Sequence, residues 1–263
     1  MKLIKTDAHG NDFLIVAASE VPPGTDLPAL ARRACDRASG RGADGLLIVE
    51  ETPAGARMQL RNADGSYSEV SGNGVRCIGA WLAGARRLVP GAVLQIDTDA
   101  GPKMLTLLGR EGARCTFRAS MGAPADIRKL CLDVAGEPVD IVTLNMGNPQ
   151  CVVLGPVTEE RLQRLGSRLA VHPHFPNGTN VELAEVVSPA ELNILIWERG
   201  VGPTQSSGTG TCGAAVAAAA FAGTLRIVDV TAPGGRQHVE WLDDQVWLTG
   251  WAEVVAELSV PIS

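Results

Sequence analysis

The sequence has 263 residues, 45% of them hydrophobic and 20% charged, with a formal net charge of −6. This composition is typical of a folded acidic protein with one or two domains and argues against intrinsic disorder. It contains no basic block of the kind that neutralises phosphate backbones, so we do not expect nucleic acid as a partner.

The first residues, MKLIKTDAHGND, turn polar at Thr6 before an apolar region develops, unlike a secretory signal. The longest apolar run, Gly213 to Ala222, is about half of the roughly 20 residues that a membrane span needs. We therefore expect a cytoplasmic protein that does not enter the membrane.

Most of the predicted elements are short strands, because runs rich in branched and aliphatic residues recur between turn signals. In chain order these strands are Leu3–Thr6, Phe13–Ala17, Leu46–Glu50, Met58–Arg61, Val93–Asp97, Met104–Leu108, Ile141–Asn145, Val152–Leu154, Asn180–Leu183, Leu192–Trp197, Gln237–Glu240 and Val246–Thr249.

Helical spacing of apolar residues predicts four helices, at Pro28–Arg37, Arg76–Arg87, Glu159–Leu169 and Cys212–Ala222. Isolated helices among many strands, without regular alternation, favour an α+β fold over a doubly wound parallel sheet.

Two of these helices follow similar segments, residues 69–77 and 205–213. Both segments contain Ser-Gly-x-Gly with a cysteine shortly after, and an alanine-rich helix follows each. This internal repeat predicts two similar α/β halves related by a pseudo-two-fold axis. The turn at Gly109–Gly112 suggests a division into residues 1–113 and 114–263, with the last strand free to return to the first half.

A helix N-terminus presents backbone N–H groups and a partial positive charge, so it binds a carboxylate without a basic side chain. Two such termini can hold one ligand and stabilise the charge that develops when its α-carbon loses a proton. We therefore expect the functional site in a cleft between the two halves.

The glycine spacing also permits a dinucleotide-binding interpretation, because Gly208, Gly210 and Gly213 fit GxGxxG and Asp229 follows. However, the long segment from Glu198 to Ser207 separates this motif from the preceding strand, whereas a dinucleotide fingerprint follows its strand almost at once. The second match, at Gly40, Gly42 and Gly45, precedes its strand. Both arrangements argue against nucleotide binding.

The six cysteines lack CxxC pairs and zinc-type spacing, which favours buried reduced thiols. The His172-Pro-His174 triplet is more typical of a turn than of a metal site. We therefore predict neither a metal ion nor a cofactor.

Six ordered motifs resemble those of the diaminopimelate epimerase family and together run through most of the chain. They are HGNDF at residues 9–13, RGADGLL at 41–47, NADGS at 62–66 followed by SGNGVR at 71–76, GNP at 147–149, HPHFPNGTNVE at 172–182, and ERGVG at 198–202 followed by SGTG at 207–210.

The resemblance implies two similar α/β halves and a two-base epimerisation that uses no pyridoxal phosphate and no metal. It carries the acid/base pair onto Ser71 and Ser207, where the family has cysteines, and the acid that partners the second base onto Glu198. The histidine that partners the first base is Gln150 here. The implied substrate-binding positions are Asn11, Asn62, Gly72, Asn73, Asn148, Asn180, Arg199, Gly208 and Thr209.

These asparagines and the arginine imply an amino acid with a second polar terminus, such as diaminopimelate, in lysine or peptidoglycan-precursor synthesis. A small-molecule amino acid is thus the expected partner, and a homodimer is a further expectation from the family.

Serine changes the expected chemistry, because an alcohol is much less acidic than a thiol with its pKa near 8.5. Three functions follow: an epimerase with substituted or assisted serines, an isomerase of the same fold with Glu198 as base, and an amino-acid-binding protein without catalysis. Cys77 and Cys212 are not expected to replace the missing thiols, because they lie well inside their helices.

Overall fold

The computed structural model describes residues 1–259, which form two compact units. The first unit contains Met1–Ala119 and residues 250–259, and the second contains Ser120–Thr249. The predicted turn at Gly112, which has a φ of 63°, connects two strands within the first unit. The division therefore falls inside a strand, a few residues beyond that turn.

The first unit consists mainly of strands and two helices. Its elements are β1 (Lys2–Ala8), β2 (Asn11–Ala17), α1 (Leu27–Cys35), β3 (Gly45–Thr52), β4 (Gly55–Asn62), β5 (Tyr67–Ser68), α2 (Gly72–Ala85), β6 (Val93–Thr98), β7 (Gly101–Glu111) and most of β8 (Arg114–Gly122).

The second unit repeats this order of elements after one additional strand at its start. Its elements are β9 (Ala125–Val134), β10 (Glu137–Asn145), β11 (Pro149–Leu154), α3 (Glu159–Leu169), β12 (Asn180–Ser188), β13 (Glu191–Glu198), β14 (Gly202–Thr204), α4 (Gly208–Phe221), β15 (Ile227–Ala232), β16 (Gly235–Leu242) and the start of β17 (Gln245–Ser259).

Strand pairing shows how closely the two units match. In the first, β2 and β3 are parallel and β3 and β4 are antiparallel; in the second, β11 and β12 are parallel and β12 and β13 are antiparallel. Helix α2 follows the β4–β5 hairpin and leads to β6, which pairs in parallel with β4, and α4 connects β13 to β15 in the same way. The predicted fold class of two similar α/β halves is confirmed.

In each unit, alternate residues of the central strand face different helices. Leu46 and Ile48 of β3 pack with α1, whereas Leu47 contacts α2 at Gly74. Likewise, Val181 and Leu183 of β12 pack with α3. Glu182, the residue between them, therefore faces α4.

Helices α2 and α4 begin four residues before their predicted starts at Arg76 and Cys212. Those predicted starts were wrong because the glycine-rich segments were taken as loops. Ser71 and Ser207 are the N-cap residues, and their Oγ atoms accept hydrogen bonds from Gly74 N at 3.1 Å and Gly210 N at 3.2 Å. These caps, with burial of both helices, outweigh the low helix propensity of glycine.

The other two helices agree with the prediction more closely. Helix α3 has the predicted bounds, and Thr158 caps it by accepting from Arg161 N at 3.2 Å. Helix α1 is shifted slightly toward the N-terminus because Asp26 caps it, accepting from Ala29 N at 3.0 Å.

Five strands have no counterpart in the sequence prediction, namely β5, β8, β9, β14 and β15. Strand β9 is mostly exposed, so the alternation that reveals half-buried strands is missing. Its Cys131 is exposed, which contradicts the expectation of buried cysteines, whereas the other five cysteines are buried. Within residues 1–259, no helix is long and apolar enough to span a membrane.

Candidate active site

The candidate residues of the first unit gather at one edge of its sheet. Strand β2 begins at Asn11, β4 ends at Asn62, and α2 begins at Gly72. Because Gly45, the first residue of β3, pairs with both Phe13 and Asn62, these ends share an edge.

Ser71 is partly buried in an extended conformation, and the first residues after it, Gly72 and Asn73, are buried. The first N–H groups of a helix have no acceptor within the helix, and the dipole gives this end a partial positive charge. The Ser71 hydroxyl therefore stands beside a small electropositive surface that suits a carboxylate.

Asn73 does more than shape this helix end. Its Nδ2 donates to Asn11 Oδ1 at 3.1 Å, and Asn11 Nδ2 donates to Asp44 Oδ2 at 2.7 Å. Asp44 is held in turn by Arg37, whose Nη2 donates to Oδ1 at 2.8 Å. The structure thus brings Asn11 and Asn73 together, with Asp44 supporting them.

Asn62 has a local partner, because its Nδ2 donates to Ser66 Oγ at 3.0 Å. This contact closes the turn after β4 and leaves the amide oxygen of Asn62 with acceptor capacity.

The candidate residues of the second unit gather at the equivalent edge. Asn148 immediately precedes β11, β12 begins at Asn180, β13 ends at Glu198, and α4 begins at Gly208. The pairing of Val181 with Trp197 brings the next residues, Asn180 and Glu198, to the same end of the ladder.

Ser207 is more deeply buried than Ser71, at 3% exposure, and Thr209 in the first turn is also 3% exposed. Gly208 is buried beside it. Access to this helix end is correspondingly restricted, which raises the strength of any electrostatic interaction there.

Arg199 and Asn180 are joined through the backbone, since Arg199 N donates to Asn180 Oδ1 at 2.9 Å. The Arg199 guanidinium donates from Nη1 to Asn177 O at 3.1 Å. Both residues are therefore fixed at the edge where α4 begins.

Gln150, which replaces the histidine implied by the resemblance, is fully buried in the second unit. Its Nε2 donates to Asn148 Oδ1 at 2.6 Å, and a Cβ added to Gly213 would lie 3.2 Å from Gln150 Cγ. Gln150 therefore packs on the second turn of α4 and orients Asn148.

The sequence interpretation assigned no role to Glu182, whose carboxyl group the structure places against the first turn of α4, at Gly210. Its side chain is 0% exposed, and neither carboxyl oxygen has a hydrogen-bond partner among the described residues. Burial raises the pKa of Glu182 well above its usual value, and the nearby charge of Glu198 raises it further. The sequence gives no local signal for this position, because a glutamate between Val181 and Leu183 also fits a half-exposed strand.

The alternative roles weighed from the sequence find no support in the geometry. Gly208, Gly210 and Gly213 all lie within α4, and the Asp229 carboxylate is held by His238 Nδ1 at 2.7 Å and by Arg236. Parallel strands β11 and β12 present their N-terminal ends to the site, whereas dinucleotides bind at the carboxyl ends of parallel strands.

Cys77 is fully buried in α2, and burial raises its pKa to about 12, which suits a packing role. Cys212 is equally buried in α4. His172 and His174 lie in a turn, in which His174 N donates to His172 Nδ1 at 3.1 Å. Within the described part of the chain, no group of three His, Cys, Asp or Glu side chains is placed to hold a metal ion.

The fold is shared with solved structures of racemases and epimerases. A probable proline racemase from Agrobacterium radiobacter superposes with a TM-score of 0.77 at 15% identity, covering 100% of this chain and 93% of the other. A hydroxyproline epimerase from Agrobacterium vitis gives a TM-score of 0.72 at 15% identity, covering 99% and 90%. The protein therefore has the fold of an amino-acid racemase or epimerase, an isomerase class.

Sequence comparison narrows this class. The family model for diaminopimelate epimerase matches residues 3–125 and 142–255. A diaminopimelate epimerase of Desulforudis audaxviator is 42% identical over 97% of both chains, and one of Moorella thermoacetica is 38% identical over 100% of both. The chain belongs to the diaminopimelate epimerase family, which confirms the resemblance stated from the motifs.

Proposed function

We propose that this protein inverts the α-carbon of an amino acid, most specifically of diaminopimelate, by proton transfer without pyridoxal phosphate. The observation that carries the proposal is the equivalence of two sites, in which Ser71 and Ser207 each cap a buried glycine-rich helix N-terminus. Membership of the family, and the names of the relatives, support the substrate.

The proposed reaction breaks the Cα–H bond and passes the proton to a base, while the electron pair is delocalised into the substrate carboxylate. A proton donated to the opposite face then forms the new Cα–H bond, so the composition of the molecule is unchanged. Ser71 and Ser207 are the proposed proton-transferring groups, one for each face. The N-termini of α2 and α4 would stabilise the negative charge that develops.

Serine needs assistance in this reaction. An alcohol is far less acidic than a thiol, so the electropositive helix end alone leaves the hydroxyl protonated at neutral pH. We assign Glu198 as the proton acceptor that assists Ser207. The histidine that partners the first base in the family is replaced here by Gln150, whose amide cannot serve as a base; this predicts that Ser71 is the weaker of the two.

Five side chains would hold the distal amino-acid end of the substrate, namely Asn11, Asn62, Asn148, Asn180 and Arg199. Their hydrogen bonds within the protein leave further donor and acceptor capacity on most of these groups. The main-chain groups of Gly72, Asn73, Gly208 and Thr209 would bind the α-carboxylate. A monocarboxylic amino acid such as lysine should therefore be a poor substrate.

The test is α-proton exchange into deuterated water over a panel that contains LL- and meso-diaminopimelate, lysine and proline. Replacing both Ser71 and Ser207 with cysteine should raise exchange of diaminopimelate by about 10²-fold or more, because it supplies thiol acid/base groups. Ser39→Cys is the matched control, since it adds a thiol at an exposed position outside the site. No gain with any amino acid would exclude the proposal.

An isomerase of the same fold with Glu198 as the only base is the second candidate. The electrostatic interaction between Glu198 and the buried Glu182 favours this candidate. Carboxyl groups with shifted pKa values often lie at catalytic sites, and Glu182 in the second unit is such a group. Here Glu198→Gln would abolish turnover and Ser71→Ala would not affect it. Tight diaminopimelate binding by calorimetry without any exchange would instead identify a non-catalytic binding protein.

We further propose that the protein acts in the cytoplasm on a free amino acid and forms a homodimer, as implied by the family. Light scattering of the purified protein measures its mass in solution, and a mass near 27.5 kDa would exclude the dimer. Fractionation of cells that express the chain tests its location.

A further inference from the structure

Glu182 is a titratable residue whose described surroundings supply no hydrogen-bond partner for a negative charge. Both carboxyl oxygens are buried and lack hydrogen-bond partners among the described residues. A buried carboxylate without a partner is strongly disfavoured, and the group responds by holding its proton. Its environment therefore favours a neutral carboxylic acid.

The carboxyl group lies under the first turn of α4. A Cβ added to Gly210 would lie 2.5 Å from Glu182 Oε1 and 3.2 Å from Ser207 Cβ. Gly210 N–H also donates the capping hydrogen bond to Ser207 Oγ. Glu182 thus contacts the same turn of helix that Ser207 caps.

The groups around Glu182 are few. Strand β13 contributes Glu198, and β11 contributes Cys151, whose pKa is raised by burial and by Glu182. The first turn of α4 supplies no group that titrates near neutral pH, and α3 packs on the opposite face of β12, against Val181 and Leu183. Among the described residues, Glu198 is therefore the only carboxylate that contributes to the raised pKa of Glu182.

The first unit provides an internal comparison. Leu47 pairs with Ile15 and Leu60, as Glu182 pairs with Val152 and Ile196. A Cβ added to Gly74 would lie 3.3 Å from Leu47 Cδ2, so Leu47 fills the same place under α2. An apolar side chain satisfies the packing at this position, and packing alone does not account for the glutamate.

We propose that Glu182 is a positioning residue for the first turn of α4, which Ser207 caps, and that this buried carboxylic acid keeps its proton while its neighbour Glu198 is ionised. When two neighbouring carboxyl groups have different surroundings, their pKa values move apart, so one keeps its proton and the other can accept one. Glu182, the more deeply buried, holds the proton, and Glu198 acts as the acceptor. The inference rests on the proposed function only for that role of Glu198.

The neutral state also protects the anion site. Ionisation of Glu182 would place a negative charge beneath the first turn of α4, where it opposes the positive end of the helix dipole. The charge would repel the carboxylate of the substrate. Substrate binding should therefore weaken as the pH rises through the pKa of Glu182, by about tenfold per pH unit beyond it.

The first measurement needs no substrate. The full chain, labelled with ¹³C at the glutamate δ-carbon, is titrated by NMR and compared with Glu182→Gln. We expect a resonance of a protonated carboxyl at neutral pH that is missing from the variant. A spectrum in which every glutamate is ionised at neutral pH would overturn the inference, whatever the protein catalyses.

The second measurement is the pH dependence of KM for meso-diaminopimelate in the wild type, Glu182→Gln and Glu182→Leu. The alkaline rise in KM should disappear in both variants, because neither can ionise. A rise that persists in a folded variant would contradict the positioning role. If glutamine at this position prevents folding, Glu182→Leu reproduces the packing of Leu47 and still decides the question.

If no amino acid is turned over, the proposed function fails while the NMR titration still tests the protonation of Glu182. Calorimetric binding of diaminopimelate at neutral and alkaline pH then replaces KM. Wild-type binding that does not weaken with pH would overturn the inference on its own.

Discussion

Asn73 donates a hydrogen bond from Nδ2 to Asn11 Oδ1 at 3.1 Å, which joins the first turn of α2 to the first residue of β2. Asn73 is fully buried and Asn11 is 2% exposed. Asn73 also accepts a hydrogen bond from the buried Arg76. The pair therefore holds the Ser71 loop in place, whatever ligand it contacts.

Asn73→Ala should lower the free energy of unfolding by about 1–3 kcal/mol, because it removes a partner from two buried polar groups. Urea denaturation at neutral pH measures this change. Asn62→Ala is the control, since Asn62 is only partly buried and bonds to Ser66, and its effect should stay near 0.5 kcal/mol. If both variants lost the same free energy of unfolding, the Asn11–Asn73 hydrogen bond would contribute no more to stability than the Asn62–Ser66 contact.

Ser71 and Ser207 should contribute to stability through their caps independently of any catalysis. Replacing either with alanine should cost about 1 kcal/mol, and with glycine only a few tenths, because the Oγ atom satisfies an N–H of the first turn. Thermal denaturation of the four single variants measures the difference. If alanine and glycine destabilise equally, capping is not the reason for serine at these positions.

Cysteine at the same positions should separate the two roles. A thiol is a weak acceptor, so the cap weakens and stability falls by about 1 kcal/mol, as for alanine. The proposed gain in proton exchange would appear in the same protein. Stability and exchange measured on one preparation of the double variant, Ser71→Cys with Ser207→Cys, would then move in opposite directions.

The sequence predicted the class of fold, the family and the equivalence of the two serine loops, because each depends on residues close together in the chain. Helix α3 was predicted to the residue, since Thr158 and the apolar spacing mark it locally. The starts of α2 and α4 were not, because glycines disfavour helix locally and only burial makes them helical.

Glu182 shows what local patterns miss. Within Val181–Leu183, alternation favours an outward-facing glutamate, and only the packing of α4 against β12 reveals that it faces inward. The roles of the nine predicted substrate-binding residues also stay predictions. The structure shows which of them share an edge of a sheet.

Gly210 and Gly74 occupy equivalent turns but should differ in their tolerance of alanine. A Cβ at Gly210 would lie 2.5 Å from Glu182 Oε1, whereas the closest atoms at Gly74 lie 3.3 Å away, on Leu47 and Ser71. Gly210→Ala should therefore destabilise by about 1–3 kcal/mol, and Gly74→Ala by less than about 1 kcal/mol. Comparable losses in urea denaturation would contradict the tight contact between Gly210 and Glu182.

Asp12 should make the protein sensitive to acid. Burial raises the pKa of this carboxyl, but hydrogen bonds from Arg37 and Lys5 outweigh burial and lower the pKa below its usual value. A depressed folded-state pKa stabilises the protein above the unfolded pKa, near 3.9, and this stability is lost as the pH falls. Asp12→Asn should flatten that loss in denaturation curves below about pH 4, modestly, because Arg37 is 60% exposed.

Glu182 should give a pH dependence of the opposite sign. Its folded-state pKa is raised, so above about pH 4.3, where an unfolded glutamate ionises, the native state binds more protons than the unfolded state. Stability therefore falls as the pH rises toward the folded pKa. In Glu182→Gln this decline should be absent, so the free energy of unfolding of the variant should gain on the wild type from about pH 4.3 upward. The comparison uses the slope of the free energy of unfolding against pH rather than its value at one pH, because burying the glutamine amide has an energetic cost of its own. Parallel slopes for the two proteins would mean that Glu182 is ionised in the native state, and the carboxyl group beneath Ser207 would then need a cation that the described residues do not supply.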